Sequence, residues 1–460
     1  MTNPRNATIA RRLGAVIAVV IAAAAIAALA GGGQRVAVHR GGMTPDTMRA
    51  PSIARKISQV AKPSGTVRFT CQLTVPAGCY GPDQMRTAYG TQSLLNAGFD
   101  GTGRTIIIID AYGSPTLDSD LTTFNTIWGL PAASISVFTP FGIDPTDPDN
   151  ADGWAGETSL DVQWAHAIAP GAKIALVIAK SNNDADILDA TQYAVDHDLG
   201  DVVSQSFGEA EQCMTGPDLK RQQRIFRQAV QHGITLFASS GDAGPAQPTC
   251  DGTHLFKAAS TPASDPNVTG VGGTTLIADG TSGAYQSEST WNESEIFSEI
   301  YGDYEAVAGG GGVSVLYRRP FYQLLATHDK QREVPDVSYN AAVFNGVIVV
   351  FDGNFYRFGG TSAGSPQWAA IIAIVDQLAH RRAGNINPAL YLLARLKGSA
   401  NPFHDIADGS NNTVPDVDGT TITGFTAVKG YDMATGLGTP NIDALVKAIA
   451  KQPPVTAPTP

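Results

Sequence analysis

The chain has 460 residues, 43% of them hydrophobic and 16% charged, which is enough for one large domain or two smaller ones around a well-buried core. Its net charge of −11 argues against a nucleic-acid partner, and acidity otherwise indicates only solubility.

The N-terminus reads as a targeting segment. Arg5, Arg11 and Arg12 precede the apolar run LGAVIAVVIAAAAIAALA at 13–30, and small residues stand at Ala28 and Ala30. This pattern fits a signal peptide cleaved near Ala30, and the run is also long enough to remain as a membrane anchor. The remainder is therefore expected outside the cytoplasm, secreted or tethered to the outer face. Residues 31–75 lack sustained periodicity and read as a linker. Cys71, Cys79, Cys213 and Cys250 permit three pairings, of which Cys71–Cys79 with Cys213–Cys250 is the most local. With no CxxC and no histidine pair at ligand spacing, a zinc site is not expected.

From residue 76 the chain reads as a folded domain running to about 450. TIIIID (105–110), KIALVIA (173–179), DVVSQSF (201–207) and ITLFASS (234–240) are short, β-branched apolar runs suited to strands buried on both faces. Helical stretches separate them at about 156–168, 184–197 and 218–232. The alternation predicts an α/β fold: a mostly parallel sheet with helices on both faces, and sites at the carboxyl ends of the strands. AGGGGVS (308–314) lacks the Gly-Lys-Ser/Thr ending of a phosphate loop, so its glycines are expected to let another backbone approach. The end, KQPPVTAPTP (451–460), reads as a proline-rich tail without core residues.

Chemistry concentrates in three places. FGGTSAGSPQWAAIIAIVDQLA (358–379) sets Ser362 at the mouth of a long apolar helix with Pro366 in its opening turn. There a hydroxyl would cap the helix, and the helix's exposed N–H groups would favour an oxyanion beside it. A reactive serine needs a base, and none of the eight histidines stands in a setting that suggests one. Glu157 and Asp161, four residues apart in AGETSLDVQWAHAI (155–168), share one helix face. Two such carboxyls in a dry setting share a proton, which makes a base and its orienting partner. In ASSGDAGP (238–245), Asp242 ends a strand between glycines; as a turn aspartate it is ordinary, and as a protonated carboxyl it would donate to an oxyanion.

Together GETSLD, SQSFG, ASSGDAG, TPASDPNVTGVGGT, GGGGVS, VPDVS, GGTSAGSP, FHDI and GYDMATGLGTPN, in this order over roughly residues 76–445, resemble the sedolisins, the serine-carboxyl peptidases of subtilisin-like fold. The resemblance implies Ser362 as nucleophile, Glu157 as general base, Asp161 as its orienting partner, and Asp242 with the Ser362 N–H as oxyanion donors. It implies an acyl-enzyme mechanism on peptide or protein substrates at acid pH. It also implies one structural calcium ion, held by the Asp405 and Asp432 side chains and the carbonyls of Ile406, Val428 and Gly430. Val428 stands where the family often has glycine; only its carbonyl is needed. A monomer is expected. The family's large folded prodomain does not fit in the 45 residues of 31–75, which leaves control of activity open. Two alternatives frame the reading. One is a subtilisin-type triad using Asp110, for which His166 lies at the wrong end of its helix. The other is an inactive peptide-binding homologue, and tripeptidyl-peptidase specificity is a variant of the enzyme reading.

Overall fold

Four consecutive isoleucines, Ile106 to Ile109, show how the core is built. Successive side chains of a strand point to opposite faces, and here Ile106 and Ile108 join one apolar cluster while Ile107 and Ile109 join another. A strand with oil on both sides belongs at the centre of a parallel sheet. The computed structural model describes residue 48 and residues 53–298, 303–396, 398, 401–411 and 422–459.

In chain order the sheet comprises β1 (Thr105–Ala111), β2 (Ser134–Phe138), β3 (Lys173–Ala179), β4 (Val202–Gln205), β5 (Thr235–Ser239), β6 (Thr269–Ala278), β7 (Tyr285–Thr290) and β8 (Val337–Asn340). Spatially they run β2-β3-β1-β4-β5-β6, all parallel, with β8 parallel and β7 antiparallel on β6. Ile106 faces Ile174 on one side and Val202 on the other, which places the carboxyl ends of β3, β1, β4 and β5 along one edge. Five principal helices follow: α1 (Leu117–Trp128), α2 (Pro148–Ile168), α3 (Asp184–Asp196), α4 (Gly216–Gln231) and α5 (Gly364–Ala379). The first cluster joins Ile106, Ile108, Val202 and Phe237 to Leu160 and Trp164 of α2 and Trp368 and Ile372 of α5. The second joins Ile107, Ile109, Val203 and Leu236 to Leu188 of α3 and Phe226 of α4. The subtilisin-like α/β architecture expected from the sequence is the one formed.

Both disulfides, Cys71–Cys79 and Cys213–Cys250, are closed as the local pairing predicts. The glycine run behaves as expected too: a Cβ on Gly310 would stand 2.1 Å from the Ser240 carbonyl oxygen, and the Gly310 N–H bonds the Gly241 carbonyl at 2.7 Å.

Three expectations are corrected. The linker reading fails for residues 53–75. Ile53–Lys56 pairs antiparallel with Asn354–Gly359, with Ile53 opposite Gly359 and Ile53 and Ala54 wholly buried. A four-residue strand is too short to show periodicity, and it is anchored by a partner 300 residues away in sequence. The proline-rich tail is docked. Val455 exchanges backbone bonds with Ala383 and Asn385, and Thr459 is buried with its N–H on the Asn267 side chain. Prolines lock φ and leave the few remaining N–H groups free to pair with whatever edge they meet. Finally, α2 begins at Pro148, well before the expected 156, because Asp147 caps it by accepting from the Asn150 N–H, and glycines 153 and 156 hide its first turns. The segment 13–30 lies outside the described residues; among the described residues no helix is long and apolar enough to cross a membrane.

Candidate active site

Ser362 is reached through a sharp turn. Gly360 has φ of 113°, a conformation closed to most side chains, and Thr361–Ala363 forms a single 3₁₀ turn that leads into α5. The expected cap is not made: the Ala363 N–H already bonds the Gly360 carbonyl, Ala363 occupies the cap position, and no side chain caps α5. The Ser362 hydroxyl instead donates to the Ser206 carbonyl at 3.4 Å. The helix end thus supplies its dipole without consuming the hydroxyl.

The turn packs against α2, the helix that carries the two acids. Glu157 and Asp161 are both completely buried, as is Asp110 at the end of β1. Burial pushes the Asp110 carboxyl up to about 7, with the Thr158 hydroxyl working in the opposite direction. Asp161 is raised well above the usual carboxylate range, first by burial and then by the charges of Asp110 and Glu157. The charges of Asp110 and Glu157 both act on Asp161, and burial together with these acidic neighbours favours its protonated form. Asp110, which a subtilisin-type reading would pair with a histidine, is one of these neighbours. His166 bonds the Pro131 carbonyl through Nε2 at 2.9 Å, and burial lowers its pKa.

Ser206 lies in the SQSFG motif and carries no separate signal in the sequence. It stands just past the carboxyl end of β4, and its hydroxyl donates to Asp161 Oδ1 at 2.9 Å while lying 3.4 Å from the Ser362 carbonyl. Its position at a strand's carboxyl end alone could have found it. On the other side of the nucleophile, Asp242 Oδ1 accepts from the Thr361 N–H at 2.8 Å and from the Thr361 hydroxyl at 2.7 Å. Thr361 was likewise not singled out by sequence. Gly241, with φ of 106°, presents its own N–H to the Thr361 hydroxyl at 3.2 Å. Asp161, through Ser206, and Asp242, through Thr361, are thus joined to the turn that carries Ser362, and Glu157 stands one helical turn before Asp161 on α2.

The residues that the resemblance implies for calcium are held by backbone bonds of their own. The Gly430 N–H reaches both oxygens of Asp405, at 3.0 and 3.1 Å, and the Val428 N–H reaches Asp432 Oδ2 at 2.9 Å. Asp432 Oδ1 accepts from the Ala434 and Thr435 N–H groups. Two aspartates 27 residues apart are thus both bonded to the Val428–Gly430 turn. Among the described residues no group of three or more His, Cys, Asp or Glu side chains is assembled for a metal.

A parallel α/β sheet with a buried serine at a helix mouth and acids on the facing helix defines a subtilisin-like, serine-type peptidase architecture. The chain belongs to the subtilase family, whose model matches residues 151–389. It is similar to kumamolisin of Bacillus sp. (strain MN-32), 33% identical over 79% of this chain and 64% of that protein. It is also similar to xanthomonalisin of Xanthomonas sp. (strain T-22), 30% identical over 81% of this chain and 47% of that protein. The chain thus spans only about half to two thirds of the length of these relatives. Among solved structures it matches Pseudomonas sedolisin, a serine-carboxyl proteinase, complexed with pseudo-iodotyrostatin. That match has a TM-score of 0.69 and 27% identity and covers 80% of this chain and 97% of that one. The resemblance to sedolisins read from the motifs extends over most of the domain.

Proposed function

We propose that this protein is a secreted, acid-acting serine-carboxyl endopeptidase that cleaves peptide bonds through an acyl-enzyme on Ser362. The observation that carries the reading is the Ser206 hydroxyl between Asp161 Oδ1 and the Ser362 carbonyl, which joins the nucleophile's turn to the acid helix. Ser362 Oγ attacks the scissile carbonyl, and its proton passes to the Glu157 carboxylate. Glu157 then returns that proton to the departing amine, leaving an ester on Ser362. Water attacks the ester, gives a proton to Glu157, and the Ser362 hydroxyl is restored as the acid product leaves. Asp161, kept protonated by burial and by its acidic neighbours, orients Glu157 and spares the pair a second negative charge. Asp242, anchored at Thr361, donates to the oxyanion together with the Ser362 N–H.

Asp242 must be protonated to donate, so the rate should fall as pH rises. A rate climbing steadily from pH 4 to pH 9 would defeat that role. Ser362→Ala should abolish hydrolysis of a peptide library and Glu157→Gln should nearly do so. A Glu157→Gln variant with near-normal turnover would exclude Glu157 as base. The length of the released products separates endopeptidase from tripeptidyl-peptidase action. The two closed disulfides support an extracytoplasmic setting. One calcium ion, held by Asp405, Asp432 and the carbonyls of Ile406, Val428 and Gly430, would tie two loops together and take no part in the chemistry.

A further inference from the structure

The resting hydroxyl of Ser362 points at a carbonyl, and among the described residues the buried Asp161 receives a hydrogen bond on one oxygen only. Both contacts are made by a single residue, Ser206, itself wholly buried. Its carbonyl accepts from Ser362 Oγ at 3.4 Å, a long contact that costs little to break, and its hydroxyl donates to Asp161 Oδ1 at 2.9 Å. A hydroxyl carries one proton. The shorter, better-placed acceptor takes it, and the Ser362 carbonyl at 3.4 Å remains secondary.

On this basis we propose that Ser206 is a positioning residue of the active site, which fixes where Asp161 carries its proton and holds the nucleophile ready. Rotation of the Asp161 carboxyl would make the Ser206 hydroxyl the acceptor and turn its proton to the Ser362 carbonyl at 3.4 Å, a poorer bond than the one of 2.9 Å to Oδ1, so Oδ1 is favoured as the acceptor. The acidic proton then resides on Oδ2, which no donor among the described residues reaches. The groups that face this carboxyl are Glu157 on its own helix, Asp110 on β1 and Ser206 after β4. All but Ser206 oppose its ionisation; the Ser206 bond alone favours it. Without that bond the carboxyl is free to rotate and to present its proton away from Glu157, and its pKa climbs further. The Ser362 hydroxyl keeps its backbone acceptor in any side-chain variant, so the two halves of the role separate.

The inference rests on the proposed function, and the experiment distinguishes the two. Ser206→Ala and Ser206→Thr are compared with the parent protein in peptide hydrolysis across pH, alongside Ser362→Ala and thermal melts. Ser206→Ala should lower kcat by about 2- to 10-fold, the scale of one hydrogen bond to an uncharged group. It should leave KM within about twofold, since the buried Ser206 side chain is turned to Asp161, and move the pH profile of kcat upward. Ser206→Thr keeps the hydroxyl and should restore most of the rate and the parental profile. An unchanged kcat and pH profile in a folded Ser206→Ala overturns the inference. So does equal loss in Ala and Thr variants that melt as the parent does. Should Ser206→Ala fail to fold, a Ser206→Thr variant with a displaced pH profile overturns it, and one with the parental profile supports it. Residual hydrolysis in Ser362→Ala would instead remove the reading of the site itself.

Discussion

Asp110 offers the sharpest quantitative test, through the variant Asp110→Asn. The side chain is wholly buried, its charge acts on Asp161, and burial raises its pKa from 3.8 to about 7. At about 1.4 kcal/mol for each tenfold change in proton affinity, that rise is worth up to about 4 kcal/mol. The folded pKa lies above the unfolded one, so between the two values the folded chain keeps a proton that the unfolded chain releases. This contribution is complete below about pH 4 and is lost as pH rises through about 7. Asparagine has the shape of the protonated carboxyl and does not titrate. Urea unfolding at pH 4, 5.5 and 7.5 should give Asp110→Asn a stability within about 1 kcal/mol of the parent at pH 4. At pH 7.5 the variant should be the more stable, by up to about 4 kcal/mol. Both proteins keep Glu211, buried and raised from 4.5 to about 7, which imposes a slope of the same sign in each. Identical pH slopes in parent and variant would refute the reasoning, because Asp110 would then be ionised already in the folded chain.

Three further outcomes are expected. Chelation of calcium should lower the melting temperature, as should Asp432→Ala, whose carboxylate accepts from three backbone N–H groups; a chelator without effect would remove the calcium proposal. Gly310→Ala should cut kcat/KM severely, because its Cβ would meet the carbonyl oxygens of Ser240 and Gly241 at 2.1 and 2.6 Å and push aside the loop that presents Asp242. Normal kinetics in that variant would mean the loop yields without cost.

Much was legible in the linear chain because it depends on local pattern. Isoleucine runs with both faces apolar can only be central strands, so β1, β3, β4 and β5 fell within a residue or two of their expected bounds. The i, i+4 spacing placed Glu157 and Asp161 on one helix face before any fold was known, and it survives in α2. Shortest loop closure selected the cysteine pairing.

What required the tertiary structure was every relation between distant segments. Whether Ser362 caps depends on the φ of Gly360 and on the turn it forces, which no composition reveals. The high pKa of Asp161 needs Asp110, 51 positions earlier, to arrive from a neighbouring strand and water to be excluded from both. Ser206, an unremarked serine in a strand motif, gains its role only when β4 lies beside β1 and the α5 turn closes over it. Local propensity acts over a few residues of chain; desolvation and hydrogen-bond direction act over a few ångströms of space, and only folding makes those two distances the same.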